Sequence, residues 1–70
     1  MSGESIVLTQ RQLEVLRLLA EGMSTAQIAD DLGLSRTTVR NYIANVLAAL
    51  GVHSRLQAVI TARKAGILEV

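Results

Sequence analysis

Apolar side chains recur along this chain at helical spacing and are interrupted by short polar or glycine-containing breaks. Val39, Ile43, Val46 and Leu50 stand at i, i+4, i+7 and i+11, flanked by Tyr42 and Leu47. That series is one buried stripe of a helix. Leu13, Val15, Leu16 and Leu19 form a similar series, with Arg11, Glu14, Arg17 and Glu21 on the outside. Ile28, Ala29 and Leu32 make a stripe on a helix of barely two turns. Leu56, Val59 and Ile60 supply a fourth, and Ile67 and Leu68 are expected to fold back over the core.

The breaks punctuate the same segments. Thr9/Gln12, Ser24/Gln27 and Ser54/Gln57 each place a hydroxyl three residues before a glutamine. In such a capping box the hydroxyl accepts from an orphan N–H and the glutamine reaches back to the cap. Leu8/Leu13, Met23/Ile28 and Leu34/Val39 can staple the helix entries, although Thr38 is a poor partner for a full box at Ser35. Gly22, Gly33, Gly51 and Gly66 follow the periodic segments, where a left-handed C-terminal cap is needed. The pattern predicts helices over 10–21, 25–32, 36–50 and 55–65. The fold class is all-α, a four-helix bundle with a central helix-turn-helix; 1–5 reads as a flexible leader and 6–70 as one domain.

Composition narrows the function classes. Seventy residues leave no material for a second core. The chain has no Cys and one His, which excludes disulfide scaffolds, zinc fingers and thiol catalysis. No proline, five glycines and 50% hydrophobic content argue for a compact helical unit. Tyr42 is the single aromatic residue, so platforms that stack bases on several rings are excluded. There is no Walker or dinucleotide glycine pattern, and His53, in a turn before a cap, has no convincing partner. Neither an enzyme, a metal nor a cofactor is expected. The segment 6–8 is too short for a signal-peptide core and no run approaches a membrane span, so the expected location is the cytoplasm.

Charge changes the picture more. The formal net charge is only +1. Residues 1–33 nevertheless hold two arginines against five carboxylates, a net of −3. Residues 34–68 hold Arg36, Arg40, Arg55, Arg63 and Lys64 with no acid, a net of +5. An acid-free half suits phosphate contact, whereas an ordinary solvated face usually mixes both signs.

The acid-free half opens at the tight turn and carries the longer helix of a short helix, tight turn and longer helix, the layout of a helix-turn-helix. Only Gly33, Leu34 and Ser35 separate the second and third helices. The second helix of such a pair enters the DNA major groove. Opposite the apolar stripe of the third helix lie Arg36, Thr37, Arg40, Asn41, Ala44, Asn45 and Ala48. Arg can fork onto guanine, Asn onto adenine, and Ala can meet a thymine methyl. Ser24, Thr25, Thr38 and backbone N–H groups at the start of the second helix suit phosphate. An ordinary helical hairpin and a protein-interaction module without DNA reading remain the alternatives.

Read in order, these residues resemble the LuxR/GerE-type helix-turn-helix domain, the output domain of NarL/FixJ-type response regulators and quorum-sensing regulators. The matching text includes Leu8-Thr9, Glu14-Val15-Leu16, Ile28-Ala29, Thr38-Val39-Arg40, Asn45-Val46, Leu50-Gly51-Val52, Ser54-Arg55, Gln57-Ala58 and Gly66-Ile67-Leu68. Sigma-factor DNA-binding domains share three helices but typically lack the Gly-Val-x-Ser-Arg run, and rank second. The departures are Gln12 for a usual Glu, Gln27 for an acid, Tyr42 for His, and Ala26 and Ala49 where Lys is common.

The resemblance implies sequence-specific double-stranded DNA binding by a transcriptional regulator. Arg40, Asn41 and Ala44 would face bases, and the alanines in place of two lysines imply either weak monomer affinity or greater reliance on Arg36, Arg40 and Arg55. It also implies a homodimer through the last helix, with recognition helices roughly 34 Å apart on two half-sites. If Leu56, Val59 and Ile60 point inward, the dimer face is Ala58, Thr61, Ala62 and Ala65. RNA polymerase or a receiver or sensor domain would be further partners.

Overall fold

In the computed structural model the described residues are 7–68, so the leader assigned to 1–5 lies outside them. The chain builds α1 (Gln10–Ala20), α2 (Thr25–Leu32), α3 (Arg36–Leu50) and α4 (Arg55–Lys64), with no strand among the described residues. α1 and α4 each end one residue before the sequence-based boundary, at the C-caps Glu21 and Ala65.

The caps explain why the helices start where they do. At α1, the Gln12 N–H donates to Thr9 Oγ1 at 3.1 Å and the Thr9 N–H donates to Gln12 Oε1 at 2.9 Å. Ser24 and Gln27 repeat this reciprocal pair at α2. The third predicted box is only half formed. The Gln57 N–H donates to Ser54 Oγ, but Gln57 Oε1 takes its hydrogen bond from the His53 N–H, one residue earlier. Ser54 has φ −139°, against −71° and −76° at Thr9 and Ser24. That more extended entry accompanies the displaced bond. At Ser35 the short Thr38 side chain cannot reach the cap N–H, and instead accepts the Ser35 hydroxyl at 2.9 Å.

Helix α3 is the centre of the bundle and packs against α1, α2 and α4, while α1 also touches α2 and α4. Val39, Ile43, Val46 and Leu50 are all buried, as their spacing predicts. They meet Val15, Leu16 and Leu19 of α1 and Ile28 and Ala29 of α2 in one aliphatic core. Leu68 is buried too, held by the Ile67 and Leu68 N–H groups, which both donate to the Ala62 carbonyl. No side-chain polar atom in the described core is left without a partner.

Helix α4 departs from the expectation. Val59 is buried as expected, but Ala58 and Ala62 are fully buried beside it, whereas Leu56 is 70% and Ile60 43% exposed. The helix is turned so that its small residues face the core. Two positions along a helix is about 200° around it, so burying 58 and 62 puts 56 and 60 outside. α4 packs on both α3 and α1, and alanines let its backbone approach both. The predicted dimer face is corrected accordingly. Ala58 and Ala62 belong to the core, Thr61 is half-buried, and only Ala65 of the four is exposed.

Candidate nucleic-acid interface

The turn between α2 and α3 is set by two residues. Gly33 has φ +69°, a left-handed conformation that costs a residue with Cβ, and it caps α2 with its N–H on the Ala29 carbonyl. The Leu34 N–H donates to the same carbonyl at 2.9 Å, and Ser35 then opens α3. Three residues separate the two helices, and the Thr38 N–H donates to Ser35 Oγ at 3.1 Å at the start of α3.

The buried stripe of α3 fixes which side chains remain outside. Arg36, Thr37, Arg40, Asn41, Ala44, Asn45 and Ala48 are exposed together, in agreement with the periodicity. Thr38 is half-buried and its hydroxyl accepts from Ser35. Arg36 and Arg40 have no ion-pair partner; the one salt bridge among the described residues is Arg11–Glu14, on α1. The exposed face of α3 therefore offers guanidinium and amide donors that nothing within the described chain engages. No helix carries an acid in its first turn.

Ser24 is exposed and Thr25 half-buried at the start of α2. The fold adds a contact that no local pattern signals. Arg55 Nη2 donates to Thr25 Oγ1 at 2.5 Å, joining residues 30 positions apart. Helices α2 and α4 do not pack on each other directly. The Arg55 side chain thus bridges their first turns, and places a cation with Ser24 and Thr25 beside the helix-turn-helix. All ten sequence-predicted positions, Ser24, Thr25, Arg36, Thr37, Thr38, Arg40, Asn41, Ala44, Asn45 and Arg55, are exposed or half-exposed. What sequence reasoning missed is the apolar pair Leu56 and Ile60 on the outer face of α4. The small pair Ala58 and Ala62, four residues apart, was the available signal, because such a pair suits close helix packing as well as an open surface.

Residues 6–62 match the GerE model, described as bacterial regulatory proteins, luxR family. The chain belongs to the luxR family.

Among luxR-family relatives, it is 44% identical over 64 residues to the spore germination protein GerE of Bacillus subtilis, covering 91% of this chain and 86% of GerE. It is 41% identical over 64 residues to the transcriptional regulatory protein DesR of the same organism, but spans only 32% of DesR. The nitrate/nitrite response regulator protein NarP of Escherichia coli is 50% identical over 54 residues, 77% of this chain and 25% of NarP. The solved structure of the transcription factor GerE superposes with TM-score 0.83 at 39% identity, over 94% of this chain and 97% of that one. The response regulator ChrA superposes with TM-score 0.87 at 31% identity, over 97% of this chain and 34% of that one. This luxR-family chain is a helix-turn-helix DNA-binding effector domain of the kind found in transcriptional regulators. No single helix among the described residues is long and apolar enough to cross a membrane.

Proposed function

We propose that this domain binds double-stranded DNA sequence-specifically, with α3 in the major groove, and regulates transcription. The observation that carries the reading is the outer face of α3, which is exposed, acid-free and unpaired within the described chain. Arg40, Asn41 and Ala44 face base edges, with Arg36, Thr37 and Asn45 beside them. Ser24, Thr25, Thr38 and Arg55 hold backbone phosphates. Two copies join through α4, and the contact is made by Leu56 and Ile60 rather than by the alanines of that helix. A dimer of this kind reads two half-sites one DNA turn apart. The cytoplasm is the compartment of this reading, and catalysis is no part of it. A receiver or sensor domain, and RNA polymerase, are the protein partners it implies, since the chain spans only a third or less of DesR and NarP.

A salt series tests the reading. The domain is titrated with duplex DNA of random and of selected palindromic sequence. Log K against log salt is expected to fall with a slope of about −0.9 per phosphate contacted, with the palindrome bound more tightly. A response independent of salt, or no binding, would leave a protein-interaction module as the function.

A further inference from the structure

A second surface contains no residue of α3. Between α1 and α2 runs an open groove of about 250 Å³ lined by Glu14, Arg17, Leu18, Glu21, Asp31 and Leu32. Its two leucines are half-buried and leave apolar surface within the groove, while three carboxylates surround them. Arg17 is the one cation of the lining, and Glu14 is partly engaged by Arg11 at 3.2 Å. Glu21 and Asp31 have no ion-pair partner among the described residues. The chemistry that fits is an aliphatic ridge flanked by cations.

The chain carries such a ridge itself. The outer face of α4 presents Leu56 and Ile60, followed by the exposed cations Arg63 and Lys64, of which Arg63 also lines a cavity with Arg17 and Glu21 of its own chain. Glu14 and Glu21, like Leu56 and Arg63, stand seven positions apart, a length of about 10.5 Å at helical rise. Charge distinguishes this pairing from a symmetric one. Neither α3 nor α4 contains an acid, and α4 carries Arg55, Arg63 and Lys64. Two α4 helices brought face to face juxtapose like charges, a cost that DNA phosphates beneath the dimer would relieve. The same helix in the groove of α1 and α2 meets opposite charges, which favour association and fix its partner.

We infer that, in the absence of DNA, the α4 ridge of one copy seats in the α1/α2 groove of a second copy. The contact is head-to-tail, so a pair of copies still has one free groove and one free ridge, on opposite partners, and association continues beyond two. It uses Leu56 and Ile60, as the DNA-bound dimer does, so the two assemblies exclude one another. DNA with two half-sites then draws the domain out of a self-associated reserve. The self-association itself is read without DNA, whereas its exclusion by the DNA-bound dimer rests on the α4 contact proposed above.

Sedimentation velocity on the DNA-free domain over a concentration series, at about 50 mM and about 500 mM salt, tests it. The Debye length falls from roughly 14 Å to roughly 4 Å between these conditions. The expected result is growth past dimer with concentration at low salt, lost at high salt. Glu21→Lys is expected to weaken association roughly tenfold or more, and Glu21→Lys combined with Lys64→Glu to restore it. Lysine suits the C-terminal end of α1, and helical circular dichroism checks that each variant is folded. A monomer at every concentration overturns the inference. So does an association that stops at dimer, strengthens with salt and ignores Glu21→Lys, which would mark a symmetric α4 contact. Failure of DNA binding would leave all these outcomes unaffected.

Discussion

The Arg55 guanidinium donates to the Thr25 hydroxyl at 2.5 Å, tying the first turn of α4 to the first turn of α2. Every other side-chain hydrogen bond among the described residues joins positions three or four apart. An exposed bond of this kind contributes little to stability, on the order of 1 kcal/mol or less. Its consequence is placement. Thr25 uses a lone pair as acceptor and keeps its hydroxyl proton for an outside oxygen. Arg55→Ala is expected to reduce the salt slope of DNA binding by about 0.9 and to weaken random and specific DNA alike. Thr25→Val should weaken binding less, with its effect shrinking in the Arg55→Ala background. Fluorescence anisotropy over a salt series reads both, and an unchanged slope would remove Arg55 from the phosphate contacts.

Arg40 stands one residue from buried Val39, on the open face of α3. If it forks onto a guanine, Arg40→Ala costs about 1–3 kcal/mol of specific binding and relaxes preference at one base pair. Selection from a randomised duplex pool measures that preference. Equal weakening on every sequence would make Arg40 a backbone anchor.

The two faces of α4 predict opposite outcomes for stability. Ala62 is fully enclosed, so Ala62→Leu overpacks the junction of α4 with α3 and α1 and destabilises by about 1–3 kcal/mol in urea unfolding. Leu56→Ser and Ile60→Ser remove side chains that are 70% and 43% exposed. Stability should change by roughly 0.5 kcal/mol or less for Leu56→Ser. Both serine variants are expected to lower the cooperativity of binding to a palindrome while sparing a single half-site. Native gel titrations on both duplexes separate the two effects.

Gly33 adopts φ +69°, and a Cβ added there meets nothing within 4 Å. The cost of Gly33→Ala is therefore conformational, about 1–2 kcal/mol. Gly33→Asn should cost less, because asparagine visits the left-handed region more readily. Denaturant midpoints of the two variants supply the comparison. An equal loss in both would point to a steric rather than a backbone origin.

Local chemistry made much of this molecule legible in advance. Hydroxyl caps and positive-φ glycines are interactions between residues within a turn, so Thr9, Ser24, Ser35 and Ser54 announce their helices without any fold. The stripe Val39–Ile43–Val46–Leu50 is also unambiguous, because its opposite face is mostly charged and polar, with only the small Ala44 and Ala48 among Arg36, Thr37, Arg40, Asn41 and Asn45. That single contrast reveals both the core and the outward face of α3. Segregated charge could likewise be counted along the chain.

The amino-acid sequence by itself determined where the four helices begin and, to within one residue, where they end, and which side of α1, α2 and α3 is buried. Only the tertiary structure decided the rotation of α4. Both sides of that helix are apolar, one large and one small, so hydrophobicity does not choose between them. The choice belongs to the space that α1 and α3 leave, which admits Ala58, Val59 and Ala62 and turns Leu56 and Ile60 outward. The Arg55–Thr25 bond has the same origin, since a contact across 30 residues exists only once α2 and α4 have each been placed by the core between them.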